Sequence, residues 1–252
     1  MGVGCEYSSD RRGKVMKTIG LLGGMSWEST ATYYRVINER VRDALGPLNS
    51  APLIMHSFNF QQVVDMQKAG DWDGASELLG KAAKGLQDAG ADTVLICTNT
   101  MHIIAEQVQS HIDIPLLHIA DSLAVKMRRS GLKAAGLLGT QFTMEQPFYA
   151  DRLKNYHLEV VVPEEAERKM VHQIIFEELC CGVIKDSSKR VYQEIIAQLE
   201  SKGADSIVLG CTEIGLLIRE EDCTLPVFDT AIIHAEAAAD FCMEECLGQK
   251  NG

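Results

Sequence analysis

Between Met16 and Leu247, short apolar runs alternate with longer stretches whose apolar residues recur every three or four positions. The runs Thr18–Leu22, Leu53–Ser57, Thr93–Ile96, Leu116–Ile119, Ala134–Leu138, Leu158–Val162, Ser206–Leu209 and Val227–Asp229 are aliphatic and β-branched. They are unbroken rather than alternating, as in parallel strands covered on both faces. Helical patterns cover Ser29–Leu45, Asp73–Asp88, Glu165–Cys181, Ser187–Glu200 and Ala231–Cys246. The last is built from good helix formers and follows the turn-prone Asp229-Thr230. Strand–helix alternation with short connections predicts an α/β fold with parallel sheets.

The pattern also repeats. Ile19-Gly-Leu-Leu-Gly23 matches Ala135-Gly-Leu-Leu-Gly139, Gly90-Ala-Asp-Thr-Val94 matches Gly203-Ala-Asp-Ser-Ile207, and Ile114-Pro-Leu-Leu-His118 matches Leu225-Pro-Val-Phe-Asp229. The offsets are 136 − 20 = 116, 204 − 91 = 113 and 226 − 115 = 111, so order and spacing are both kept. Two similar four-stranded halves, facing each other across a pseudo-two-fold axis, are expected. The division expected is a flexible tail at 1–15, halves at 16–125 and 126–228, and a C-terminal helix at 229–247 packing back on the first half. Ligands of open α/β sheets sit off the carboxyl ends of the strands, which places the site in the cleft between the halves.

Composition narrows the class. With 24 basic and 35 acidic residues the net charge is −11, the wrong sign for sequence-independent nucleic-acid binding. No apolar run approaches the roughly 18–20 residues of a membrane span, and the N-terminus lacks the apolar stretch of a signal peptide. Met1-Gly2 begins like a myristoylation signal, but Glu6 stands where that pattern needs Ser or Thr. Eight cysteines without a C-x-x-C pair read as reduced thiols of a cytoplasmic protein, and no metal site is expected.

Chemistry collects at the strand ends. Gly23-Gly24-Met25-Ser26 follows the first strand and Gly139-Thr140-Gln141-Phe142-Thr143 the fifth, each before a helix where N–H groups and hydroxyls can hold a carboxylate. The dinucleotide fingerprint and the phosphate-loop motif are both absent. Cys97-Thr98-Asn99-Thr100 follows the third strand and Cys211-Thr212-Glu213 the seventh. Aligning Ala91 with Ala204 sets Thr98 opposite Cys211, at an offset of 211 − 98 = 113. A strand-end thiol can serve as acid or base, and adjacent Asn and Thr side chains can stabilise an oxyanion.

These two segments, VLICTNTMHI and IVLGCTEIGLL, together with GLLGGMSWES and GLLGTQFTMEQ, resemble the paired signatures of the aspartate/glutamate racemase family. The resemblance covers Met16 to about Met243. It implies racemisation of a small-molecule amino acid without a cofactor, by one residue removing the α-proton while another protonates the opposite face. A homodimer is also implied. By resemblance the donors are Asn99, Thr100, Thr140, Thr143 and Thr212, with the backbone of Met25-Ser26, and Glu213 orients its neighbours or accepts the ammonium group. Related carboxylate isomerases and decarboxylases, or a non-catalytic ligand-holding domain, are the alternatives.

The chain departs from the family at two places. Most members carry cysteine on both sides, but the first site here reads Cys97-Thr98-Asn99. The repeat register and the ungapped family pattern favour Thr98 as the partner of Cys211, while a one-residue bulge would bring Cys97 to the cleft. Many members also have a lysine just before a glycine after the sixth strand, where this chain has Cys181-Gly182. Arg168, Lys169 or the amide of Gln67 are the candidates to bind a side-chain carboxylate instead. Trp27, Tyr33 and Tyr34 read as packing residues, Cys180-Cys181 as a buried helix end, and His118, His172 and His234 as core histidines.

Overall fold

A computed structural model describes residues 16–248; the tail expected at 1–15 lies outside the described residues. The first half runs β1 (Ile19–Gly23), α1 (Trp27–Leu45), β2 (Leu53–Ser57), α2 (Phe60–Ala69), α3 (Trp72–Asp88), β3 (Thr93–Ile96), α4 (Ala105–Gln109), β4 (Leu116–Leu117) and α5 (Ile119–Arg129). The second runs β5 (Ala134–Gly139), α6 (Gln141–Glu145), α7 (Pro147–Lys154), β6 (Glu159–Val161), α8 (Glu165–Glu177), α9 (Asp186–Ser201), β7 (Ser206–Gly210), β8 (Val227–Asp229) and α10 (Thr230–Leu247). The sheets are parallel throughout, with equivalent orders β2-β1-β3-β4 and β6-β5-β7-β8. The fold is α/β, as the alternation predicts. No helix among the described residues is long and apolar enough to cross a membrane.

The repeated residues do matching work. A Cβ on Gly20 would lie 3.1 Å from the Ala91 Cβ and from the Thr93 carbonyl, and one on Gly136 would lie 3.2 Å from the Ala204 Cβ and 3.1 Å from the Ser206 carbonyl. Each glycine therefore lets the next central strand dock closely. The aspartates that follow then fix the strand starts. Asp92 accepts the Thr18 N–H at 2.6 Å, while Asp205 accepts those of Lys133 and Ala134 at 2.8 and 3.0 Å. Asp205→Ala leaves two N–H groups without their acceptor and is expected to lower stability by about 1–3 kcal/mol in urea unfolding.

The third repeat caps two helices. The His118 Nδ1 accepts the Ala120 N–H at 3.1 Å, and Asp229 accepts those of Ala231 and Ile232 at 2.9 and 3.2 Å. Both helices cross over. Ile119, Leu123 and Met127 of α5 share a core with Leu137, Tyr149 and Leu153, whereas Ala235, Ala239 and Met243 of α10 share one with Leu21, Tyr33 and Ile37. Bidentate pairs fasten each of them: Arg152 to Asp121 at 2.8 and 2.7 Å, Arg40 to Asp240 at 2.7 and 2.9 Å. The line drawn between residues 125 and 126 passes through α5.

Several local expectations are corrected. The strand expected at Leu116–Ile119 stops at Leu117, because His118 caps a helix that begins at Ile119. The helix expected through Cys181 ends at Glu177; Leu179–Cys181 forms a short 3₁₀ turn closed by Gly182 at φ 71°. Cys181 is therefore exposed and Cys180 only partly buried. Tyr33 packs in the core, but Trp27 and Tyr34 lie on the solvent side of α1.

Candidate active site

The carboxyl ends of β1, β3, β5 and β7 supply most of the site, and hydrogen bonds join it across the cleft. Ser26 caps α1 in the first half, and its Oγ donates to Glu213 Oε1 of the second half at 2.7 Å. The other carboxylate oxygen accepts from the Cys211 thiol at 3.0 Å and from the Thr212 hydroxyl at 2.7 Å. Thr140 caps α6, and its hydroxyl bonds to those of Thr100 and Thr143 at 3.1 and 3.2 Å. Asn99 Nδ2 donates to the Thr230 hydroxyl at 3.0 Å, which donates in turn to the Leu209 carbonyl at 2.8 Å. Eight of the residues singled out in the sequence, Ser26, Asn99, Thr100, Thr140, Thr143, Cys211, Thr212 and Glu213, thus fall into three bonded groups.

Two others stand apart. Met25 is buried in the first-half core, and Gln67 on α2 donates to the Met101 sulfur at 3.0 Å. Cys97 and Thr98 point into different surroundings. Cys97 is fully buried with Ile19, Leu21 and Tyr33 in the core that α10 completes, and burial pushes its thiol pKa up. The Thr98 side chain is half-buried at the end of β3, and its hydroxyl makes no hydrogen bond among the described residues.

The backbone of Thr98 is held from behind. His102 Nδ1 donates to its carbonyl at 2.8 Å, and His102 Nε2 accepts the Ile119 N–H at 3.2 Å. Because a carbonyl only accepts, this assignment fixes the neutral tautomer of His102. His234 is fixed the same way: Nε2 donates to the Leu117 carbonyl at 2.9 Å, and Nδ1 accepts the Tyr33 hydroxyl at 2.8 Å. The His102 ring lies 4.6 Å from that of His118 and 5.7 Å from that of His234, centroid to centroid.

Electrostatics set the resting state of the thiol. Burial, the adjacent Glu213 carboxylate and the hydrogen bond to it hold the Cys211 pKa well above the usual thiol range. Cys211 is therefore a proton donor at neutral pH in this state. Glu213→Gln removes the neighbouring charge and is expected to lower the thiol pKa. The pH dependence of iodoacetamide labelling, followed on the Cys211 peptide by mass spectrometry, checks this.

Two buried polar atoms lack a hydrogen-bond partner among the described residues, the Tyr149 hydroxyl and, with Nδ2 turned to Thr230, the Asn99 Oδ1. Such an atom costs about 1–3 kcal/mol unless a donor arrives, and an ammonium group is a suitable one. Thr230 was not legible as part of the site, although its place directly after the β8 end was the available signal. The basic candidates are occupied elsewhere: Arg168 bonds Glu145 at 3.0 Å and the Pro163 carbonyl at 2.8 Å, and the exposed Lys169 pairs with Glu165.

Two matching sheets bring hydroxyls, an amide and a buried thiol together at their strand ends, the layout of an α/β enzyme. The profile of the Asp/Glu/hydantoin racemase family matches residues 22–238, and the chain belongs to that family. It is 48% identical to a Yersinia pestis protein proposed to be an Asp/Glu racemase, covering 90% of this chain and all (100%) of that one with a TM-score of 0.86. An aspartate racemase homologue from Pyrococcus horikoshii OT3 is 36% identical, with 90% and 99% coverage and a TM-score of 0.80. The broad specificity amino-acid racemase RacX of Bacillus subtilis (strain 168) is 23% identical over 227 residues, 87% of this chain and 95% of that one.

Proposed function

We propose that the chain is a cofactor-independent amino-acid racemase in which Thr98 and Cys211 serve opposite faces of the α-carbon. The observation that carries the reading is the matched placement of these two residues at the ends of β3 and β7, one from each sheet. The family and the names of its relatives support the same chemistry.

In this scheme the substrate ammonium donates to Asn99 Oδ1, and its carboxylate takes hydroxyl and N–H donors from Thr100, Thr140, Thr143 and the backbone after Met25. Those donors stabilise the charge that develops when the weakly acidic α-proton leaves. Cys211 first passes its proton along the existing bond to Glu213. Its thiolate then takes the α-proton, and the Thr98 hydroxyl protonates the other face, recovering its own proton from water while Glu213 releases the proton it received to solvent. The reverse direction uses the Cys211 thiol as donor and needs Thr98 as base, a poor one at neutral pH. The working form is taken to be a cytoplasmic homodimer, for which sedimentation of the purified protein is the check.

Incubation in D₂O with aspartate, glutamate and a panel of neutral amino acids tests the proposal. Loss of the α-proton NMR signal with appearance of the opposite enantiomer is the expected result. No exchange with any member of the panel overturns it.

A further inference from the structure

Thr98 and Cys211 stand after matching strands, yet they are held in different ways. The Cys211 thiol is tied to Glu213, and the Cys211 carbonyl accepts the Ile214 N–H at 3.1 Å in the turn that follows β7. In the first half the corresponding turn starts one residue later, with the His102 N–H on the Asn99 carbonyl at 3.0 Å. That leaves the Thr98 carbonyl outside the backbone turn. Among the described residues one hydrogen bond reaches Thr98, the bond from His102 Nδ1 to this carbonyl at 2.8 Å.

The far side of the imidazole turns this anchor into a bridge. His102 is buried, and its Nε2 accepts the N–H of Ile119, the first residue of α5. First-turn N–H groups have no partner within their own helix, so this bond takes nothing from the helix ladder. Ile119 packs in the core that also holds Leu137, Tyr149 and Cys211. One rigid ring therefore ties the Thr98 backbone to the packing of the half that carries the thiol. The bridge needs a donor on one nitrogen and an acceptor on the other, which the neutral ring alone provides. Burial and the facing His118 keep it neutral by lowering its pKa.

We infer that His102 is a positioning residue for Thr98: by joining the Thr98 carbonyl to the start of α5, it sets where the Thr98 hydroxyl stands relative to the Cys211 thiol. Two groups that serve opposite faces of one carbon must both be within reach of it. A displacement of about 1 Å can cost about a hundredfold in rate. Cys211 has its own side-chain bond, whereas the free Thr98 hydroxyl depends on its backbone for its place. The inference rests on the racemase proposal above and adds a residue that acts through Thr98.

A double-mutant cycle, read as the rate of α-proton exchange in D₂O, separates positioning from packing. His102→Leu removes both ring bonds and is expected to lower kcat by about ten- to a hundredfold when Thr98 is present. In a Thr98→Ala background the same change is expected to cost less than about twofold, because the hydroxyl it positions is gone. His102→Asn, whose amide nitrogen can take the place of Nδ1, is expected to recover most of the lost rate. Thermal melting establishes that each variant is folded. His102→Gln, whose amide reaches the place of Nε2 but not the Thr98 carbonyl, carries the cycle if the leucine variant does not fold. Equal losses in the two backgrounds overturn the inference, as does an asparagine variant no faster than the leucine or glutamine one. If the unsubstituted chain exchanges no α-proton, the racemase proposal itself fails, an outcome distinct from equal losses in a chain that does exchange.

Discussion

Cys211→Ala is expected to abolish measurable α-proton exchange, lowering the rate by about a thousandfold or more, toward the upper end of positioned acid–base effects. No neighbour can replace the thiol. Glu213, Thr212 and Ser26 are bonded to one another or to Cys211 in that corner, and Cys97 is sealed into the opposite core. Thr98→Ala is expected to be milder, because a water molecule can take over part of the task of a weak base. Thr98→Cys is the sharper variant. A second thiol has a pKa nearer to neutrality than a hydroxyl, so the enzyme is expected to become faster, above all in the direction that needs a base at position 98. One constraint holds for every variant. The equilibrium constant between enantiomers is one, so kcat/KM must match in the two directions even where kcat and KM separately do not.

The second large effect is on stability in acid. His118 and His234 are pushed down to about 3, chiefly by burial and also by the charges facing them, Arg152 and His234 for His118, His102 for His234. His102 shifts the same way through burial and the facing His118. Unfolded histidine titrates near about 6.5. Below that pH the unfolded chain therefore binds protons that the folded chain refuses, and stability is lost as pH falls toward 3. Asp229 works against this. Its pKa is raised to about 6, mainly by burial, with the Glu213 charge adding to it against the lowering effect of its two cap bonds. Between 6 and its ordinary value the folded chain therefore binds the extra proton. The three clustered histidines against one aspartate leave roughly two protons in favour of unfolding, or up to roughly 3 kcal/mol per pH unit. Urea titrations at pH 7, 6 and 5 are expected to show steeply falling stability before the surface carboxylates titrate. A flat or rising profile contradicts the neutral histidine cluster.

The duplicated plan was readable because its repeated residues do local jobs. Gly20 and Gly136 admit Ala91 and Ala204, and Asp92 and Asp205 pin the strand starts, so each signal needs only its own segment. Five helices, α2, α4, α5, α6 and α7, were harder to read. The cap of α5 is the imidazole of His118 rather than a Ser, Thr, Asp or Asn, and no loop separates it from β4. α6 is a single short turn, followed at once by α7 with Pro147 in its first turn. The polar strand-end residues were legible by type and spacing. Their partners across the cleft were not: Ser26 to Glu213 spans 187 positions and Asn99 to Thr230 spans 131. Contacts at such separations follow from how the halves face each other and leave no mark on local pattern.

The most direct test of two groups acting on opposite faces is the isotope content of the product at low conversion. A single protiated enantiomer of the fastest amino acid is incubated in D₂O, and the product and remaining substrate are separated and weighed by mass spectrometry. With Cys211 removing the proton and Thr98 delivering another, the product carries deuterium from its first appearance while the recovered substrate stays protiated. A product that keeps the substrate's own proton means that one group serves both faces, which contradicts the Thr98–Cys211 pair.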